Sequence, residues 1–158
     1  MRKSIPYGMA LPLMLVAAVA SAQGKLPKCP GSYDAKTWTN CFVELKRPSG
    51  IKFAAEFKDG KPNGYGTATS PNGDKYVGEL RDGTQNGAGT AVWKGGLKYS
   101  GEWQDGEMNG QGTKTWPGGK YVGGFKDNKF HGQGTEYNSK GAAVRSGVWE
   151  NDALVKSQ

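Results

Sequence analysis

The side chains that could perform chemistry in this sequence are few, and they recur at a fixed spacing. Glu56, Glu79 and Glu102 follow one another every 23 residues. Paired carboxylates about 5–10 Å apart can hydrolyse glycosidic bonds. These three recur because the sequence around them recurs, and nothing singles out one pair. The pattern therefore does not favour a glycosidase.

His131 is the single histidine of the chain and could in principle act as a general base. The equivalent positions of the other units hold Asn63, Asn86 and Asn109. Because asparagine cannot transfer a proton in this way, a hydrogen bond that stabilises a turn explains all four residues better.

Two further elements resemble ligand-binding loops. A Gly-x-Gly element recurs in every unit, but a nucleotide-binding loop needs a strand before it and a helix after it. One aspartate lies in the first turn of each unit, namely Asp59, Asp82, Asp105 and Asp127. These turns lack the clustered carboxylates of a calcium-binding loop. We expect no metal and no cofactor.

The composition also argues against an enzyme or a metal site. The 158 residues include 26 glycines but only 2 cysteines and 1 histidine, and 11% are aromatic. Aromatic content at this level argues against a disordered tail. Many glycines beside many aromatic residues favour short strands joined by tight turns. Little remains for a zinc site or a histidine-based catalytic centre, so we expect a protein that is not an enzyme.

Residues 1–22 have the pattern of a cleaved signal peptide. Arg2 and Lys3 precede an apolar run, and Ala20-Ser21-Ala22 is a cleavage signal that would leave Gln23 as the first residue. A membrane anchor is the alternative, but spanning needs roughly 20 apolar residues. We expect export, to a bacterial periplasm or medium, with a peripheral membrane location compatible with the pattern.

Residues 23–158 carry 19 basic and 14 acidic side chains, a net charge of +5 without any basic run. No nucleic-acid patch is indicated. The excess charge serves solubility in one interpretation. In the other it attracts anionic lipid head groups or cell-wall polymers.

Cys29 and Cys41 are an even pair in a chain predicted to be exported, which favours a disulfide. A redox pair is the alternative, but eleven residues separate them rather than two. A lipid-modified Cys29 is a weaker alternative because Lys28 is a poor neighbour for lipid attachment.

A repeat of about 23 residues fills most of the chain. Tyr76-Val-Gly-Glu-Leu is echoed by Tyr99-Ser-Gly-Glu-Trp and Tyr121-Val-Gly-Gly-Phe. The four units are 53–75, 76–98, 99–120 and 121–144. A degenerate first unit lies within an N-terminal cap of residues 23–52 that holds the cysteine pair. A partial unit and a tail occupy residues 145–158.

Two turn signals in each unit predict two short strands, a β-hairpin. Tyr76, Gly78 and Leu80 would share one face of the first strand. Gly87 and Gly89 would share a face of the second strand and leave room for aromatic rings. Because one hairpin is marginal in water, stacked hairpins should form an all-β, elongated, single-layer antiparallel sheet.

These units resemble the MORN (membrane occupation and recognition nexus) repeat family, whose pattern is roughly Y-x-G-E-W-x-x-G-x-x-H-G-x-G. The stretch from Tyr99 to Gly112 fits almost every position. Leu80, Gly124 and Asn128 depart from the pattern. The resemblance implies stacked hairpins that act as a scaffold or interaction module, with links to membranes and dimerisation, and no catalytic domain.

The predicted functional positions are of two kinds. The candidate interaction aromatics are Tyr76, Trp93, Tyr99, Trp103, Trp116, Tyr121, Phe125 and Trp149. The repeat glycines are Gly64, Gly66, Gly87, Gly89, Gly110, Gly112, Gly132 and Gly134.

Three functions are compatible with these sequence patterns. The first is a scaffold of the cell envelope that binds a protein partner or itself. The second is peripheral binding to anionic phospholipid membranes. The third is binding of a cell-wall polysaccharide by stacked aromatic rings.

Overall fold

Antiparallel strands joined by tight turns make up the computed structural model, which describes residues 26–158. The predicted signal peptide, residues 1–22, lies outside the described residues. The strands are β1 (Cys41–Lys46), β2 (Lys52–Lys58), β3 (Lys61–Thr69), β4 (Lys75–Arg81), β5 (Thr84–Val92), β6 (Lys98–Gln104), β7 (Glu107–Trp116), β8 (Gly119–Lys126), β9 (Lys129–Asn138), β10 (Ala143–Glu150) and β11 (Ala153–Ser157).

The eleven strands form one open sheet in which each strand pairs with its neighbours in the sequence. All ten pairings between these strands are antiparallel. The prediction of an all-β, single-layer sheet of stacked hairpins is confirmed. Residues 26–158 contain no helix with the length and apolar character needed to cross a membrane.

Asp-Gly turns close the hairpins on one side of the sheet, at the ends of the strands. Asp82 and Gly83 both have positive φ, at 50° and 86°. Two successive positive φ angles match the turns that suit the twist of a hairpin. Asn128 takes the glycine place in its turn at φ 69°, a conformation that asparagine tolerates.

Each turn is also tied to the unit before it. The amide of Gly83 donates to the carbonyl of Pro62 at 2.8 Å, and Gly106 donates to Gln85 at 3.0 Å. These bonds give every unit the same offset from its predecessor.

A row of paired glycines crosses the middle of the sheet from β3 to β10. Each glycine lies directly opposite the next on the neighbouring strand. This glycine row consists of Gly66, Gly78, Gly89, Gly101, Gly112, Gly123, Gly134 and Gly147. Glycine weakens a strand, so its presence here requires a packing reason.

That reason is the tyrosine ring that lies over the glycine row in three units. A Cβ on Gly112 would come within 2.5 Å of the Tyr99 ring, and one on Gly89 within 2.8 Å of the Tyr76 ring. Tyr121 covers Gly134 in the same way. The prediction that Gly89 leaves room for a ring is therefore confirmed.

The rings on this face, the aromatic face, touch one another edge to face both within units and across unit boundaries. Tyr76 meets Trp103 at 5.6 Å, and Trp103 meets Tyr99 at 5.1 Å between ring centroids. The chain of contacts continues through Phe125, Tyr121 and Trp149. Each such pair contributes about 0.5–1.5 kcal/mol beyond the burial of its area.

The N-terminal segment covers part of the outer edge of β1. The amide of Cys29 donates to the carbonyl of Phe42, and the amide of Phe42 donates to Pro27. Cys29 and Cys41 form a disulfide that fixes this segment. Trp38 is buried against the ring of Phe57, 5.1 Å away between centroids.

The C-terminal segment 145–158 contributes most of one more hairpin, β10 and β11. Trp149 is fully buried there. Arg145 stands where the other units have tyrosine or phenylalanine, and its guanidinium lies 4.9 Å from the centre of the Trp149 ring. Arg145 also pairs with Glu136 on β9. A cation over a ring therefore takes the place of the ring-on-glycine contact in this unit.

We predict that Gly112→Ala lowers the free energy of unfolding by about 1–3 kcal/mol, because the new methyl group collides with the buried Tyr99 ring. Thermal or urea unfolding measures the change. Gly118→Ala is the matched control, since its Cβ would meet its nearest neighbour, Trp116, at an ordinary 3.4 Å. Equal stability of the two variants would contradict the packing of the ring on the glycine.

Candidate interaction surfaces

Most of the predicted interaction aromatics lie in the core. Six of the eight are no more than 7% exposed, namely Tyr76, Tyr99, Trp103, Tyr121, Phe125 and Trp149. They make the packed aromatic face and leave little ring surface for a partner.

Trp93 and Trp116 differ from these six because they are only partly buried. Trp93 tilts against Trp103 at 6.5 Å, and Trp116 stacks on Phe130 at 6.4 Å between ring centroids. Both tryptophans lie at the end of the unit away from the Asp-Gly turns. They remain the candidate aromatic contacts.

Each tyrosine over the glycine row donates its hydroxyl to a backbone carbonyl three residues ahead. Tyr76 donates to Glu79 and Tyr99 to Glu102, both at 2.8 Å, while Tyr121 donates to Gly124 at 3.2 Å. The hydroxyl of each of these three tyrosines is therefore satisfied. These hydroxyls serve the fold.

Burial sets the acidity of the three tyrosines. Desolvation is the main cause that raises the pKa of Tyr76 and of Tyr99 well above 10.0, and the Glu79 and Glu102 carboxylates raise it further. Burial also raises the pKa of Tyr121 to about 12, with a smaller effect from Asp152. All three groups are neutral hydrogen-bond donors at physiological pH.

The glutamate row, Glu56, Glu79 and Glu102, lies on the opposite face, the polar face. Each glutamate faces three residues of the next strand, because the register shifts there in a bulge. The Glu79 carboxylate accepts from the amide of Ala88 at 3.1 Å, and Glu102 accepts from Gln111 at 3.2 Å. These hydrogen bonds to backbone amides stabilise the bulges.

This geometry corrects one expectation about the Gly-x-Gly elements. Gly87 does not share the aromatic face with Gly89. It has a φ of 81°, and a Cβ on it would collide with the Glu79 side chain. In the units that begin at Tyr76 and Tyr99, the first glycine therefore makes room for a carboxylate and the second makes room for a ring. Because both positions are glycine, the sequence alone does not distinguish them. Two other glycines differ, since a Cβ on Gly132 would meet nothing within 4 Å and one on Gly66 would meet Leu80 instead of a ring.

His131 and the equivalent asparagines are only partly alike. The side-chain amide of Asn109 donates to Asp127 of the next turn at 3.4 Å. The Nδ1 atom of His131 is buried without a hydrogen-bond partner. The single explanation of a turn hydrogen bond therefore does not extend to His131. No group of three or more metal-binding side chains occurs within residues 26–158.

Two shallow grooves lie at the strand ends that carry the Asp-Gly turns. The larger has a volume of about 580 Å³ and includes Asn109, Asp127 and His131 in its lining. The smaller, about 390 Å³, includes Asn86 and Glu102. Turn acids near them are already paired, for example Asp105 with Arg81 at 2.9 Å.

The polar face also carries a lysine row that the sequence alone did not reveal. Direct cross-strand pairing aligns one lysine from each of β2, β4, β6 and β8, with one residue of the intervening strand between successive lysines. The row is Lys52, Lys75, Lys98 and Lys120. In the sequence these lysines look scattered, but each stands one residue before the Phe or Tyr that begins its unit. The unit period was the signal that could have revealed the row.

The sequence model of the MORN repeat matches four consecutive segments, residues 53–75, 76–98, 99–120 and 121–142. Repeats of this family are non-catalytic modules that generally mediate contacts with proteins or membranes. A search of the curated proteins finds no match to the chain.

We predict that the protein loses stability as the pH rises above about 10. The folded state raises the pKa of its buried tyrosines, so their contribution is complete below the ordinary value of 10.0. It is lost as the pH climbs from there through about 12, because the unfolded chain releases protons first. Urea unfolding at a series of alkaline pH values measures the slope.

The variant Tyr121→Phe should flatten that alkaline slope, because it removes one of the three ionisable groups. An identical slope in the variant and the parent protein would show that the buried tyrosines do not control alkaline stability.

Proposed function

Since the chain belongs to the MORN repeat family, we propose that it is an exported, non-enzymatic scaffold of the cell envelope that binds proteins, including a second copy of itself. The signal-peptide pattern of residues 1–22 supports export to the periplasm or the medium. The disulfide between Cys29 and Cys41 supports it as well, since such bonds persist in oxidising compartments.

The absence of an enzyme role is supported by how the reactive side chains are used. The glutamate row is engaged by backbone amides, and the turn acid Asp105 is held in an ion pair. His131 lines the larger groove together with Asp127, but its Nδ1 atom has no hydrogen-bond partner, so no histidine–carboxylate pair is formed among the described residues. Within the described residues, these groups stabilise the sheet.

One observation carries the binding proposal. Among the described residues, β11 pairs with β10 alone, so its outer edge presents unpaired backbone groups. An exposed edge strand is a template for a strand from another chain. Val155 on this strand is 55% exposed. At the other end of the sheet, the segment around Cys29 covers part of the β1 edge.

Self-association through β11 would pair this strand with a second copy of itself about a two-fold axis. An isologous contact of this kind closes and yields a dimer. A protein partner that supplies its own strand would use the same edge.

We predict that Val155→Lys prevents this association, because it adds a second charge beside the exposed Lys156 on the edge strand and removes an apolar contact, and charges there oppose strand addition. Sedimentation velocity across a concentration series measures the dimer, and crosslinking in intact cells measures capture of a partner. Val122→Lys is the matched control, since Val122 is 39% exposed and lies on β8, which pairs with a neighbouring strand on both sides.

Loss of the dimer or of the crosslinked partner in the Val155 variant alone supports the proposal. A protein that stays monomeric at every concentration and captures no partner in cells contradicts it. Equal effects of the two substitutions would assign binding to surface hydrophobicity rather than to the β11 edge.

A further inference from the structure

The lysine row is an ordered line of positive charge along the polar face. Lys52, Lys75, Lys98 and Lys120 are all exposed, and none forms an ion pair within residues 26–158. Successive lysines stand two strands apart, which places them about 9–10 Å from each other. The four lysines therefore extend from regularly spaced backbone positions, and their side chains are exposed to a ligand.

The N-terminal end of the row concentrates charge further. Lys46 on β1 lies directly opposite Lys52 on β2, and both side chains are exposed. Like charges directly opposite one another destabilise a strand pair. A bound anion would relieve this repulsion.

The charge pattern of the polar face favours a line of anions over a plane of them. The glutamate row runs parallel to the lysine row, and Glu79 lies four residues along the strand from Lys75, a distance of about 13 Å. A flat anionic membrane pressed on this face would meet both rows, and the glutamates would repel it. A single polymer chain can lie along the lysines alone.

The spacing also disfavours nucleic acids. Duplex DNA carries one charge for about every 1.7 Å of its axis, far denser than the lysine row. Single strands are bound by stacking on aromatic rings. The ring in line with the row is that of Tyr137, and the Lys120 ammonium covers it at 5.0 Å.

Hydroxyl groups accompany the lysines. Thr69 stands between Lys52 and Lys75, and Thr115 stands between Lys98 and Lys120. Both are only partly buried. The residue at the middle gap of the row is Val92, which is 39% exposed, so hydroxyls occupy two of the three gaps between the lysines. Hydroxyls beside cations suit a ligand that carries its own hydroxyls and an anion at every second unit.

We propose that the lysine row binds an extended polysaccharide that carries one carboxylate in each disaccharide. In an extended β-linked chain the sugar rings alternate in orientation, so equivalent groups face the protein once in every two sugars. This distance is comparable to the spacing of every second strand. The surface is separate from the β11 edge and does not depend on the protein-binding proposal.

The test uses a hyaluronan oligosaccharide of four disaccharides, which presents one carboxylate for each lysine of the row. Isothermal titration calorimetry of the purified protein at several salt concentrations measures the affinity. A neutral chito-oligosaccharide of the same length is the ligand control.

The variant changes all four lysines of the row to glutamine. A matched control changes four exposed lysines outside the row to glutamine, Lys58, Lys126, Lys129 and Lys140. Both variants lose the same net charge, and unfolding curves verify that both remain folded.

We expect the row variant to bind hyaluronan about tenfold or more weakly, because four exposed ion pairs act together. The control variant should bind like the parent protein, and the parent's affinity should fall with salt. Equal losses in the two variants would overturn the proposal in favour of general charge attraction. No binding by the parent at low salt, or tighter binding to anionic liposomes than to hyaluronan, would overturn it too.

Discussion

The contact between tyrosine rings and the glycine row is the interaction on which this fold depends. A single-layer sheet has no second layer to bury its apolar face. Here Tyr76, Tyr99 and Tyr121 lie over paired glycines and touch the rings of neighbouring units edge to face. The absent side chains of the glycines make the space, and the rings fill it. A hydrophobic core is thereby built from side chains of the sheet itself.

This arrangement also determines the surfaces available for function. Because the paired glycines keep β3 to β10 in one register, each position of the repeat forms a row across these strands. The glutamates accept hydrogen bonds from backbone amides in the bulges, and the tyrosine hydroxyls donate to backbone carbonyls. The lysine row is left exposed and without ion-pair partners within the described part of the chain. The repeat thus turns a weak excess of positive charge into an ordered array.

The sequence was sufficient to predict the hairpins, their number in the repeats and the close packing at Gly89, since turn residues and the 23-residue period act locally. It was not sufficient to distinguish the roles of Gly87 and Gly89, because the sequence shows glycine at both positions whether a carboxylate or a ring lies over it. It also did not show that Tyr99 or Trp149 is wholly buried, since burial in a thin sheet depends on contacts between units. The lysine row required the cross-strand register.

A double-mutant cycle between Tyr99 and Gly112 tests the central claim most directly. Urea unfolding would measure the cost of Gly112→Ala in the parent protein and again in a Tyr99→Leu background, where the ring is absent. If the ring packs on the glycine, the cost of the alanine should fall by more than half in the second background, because coupled residues are not additive. The same cost in both backgrounds would show that the glycine is required for another reason, and the account of the core would be wrong.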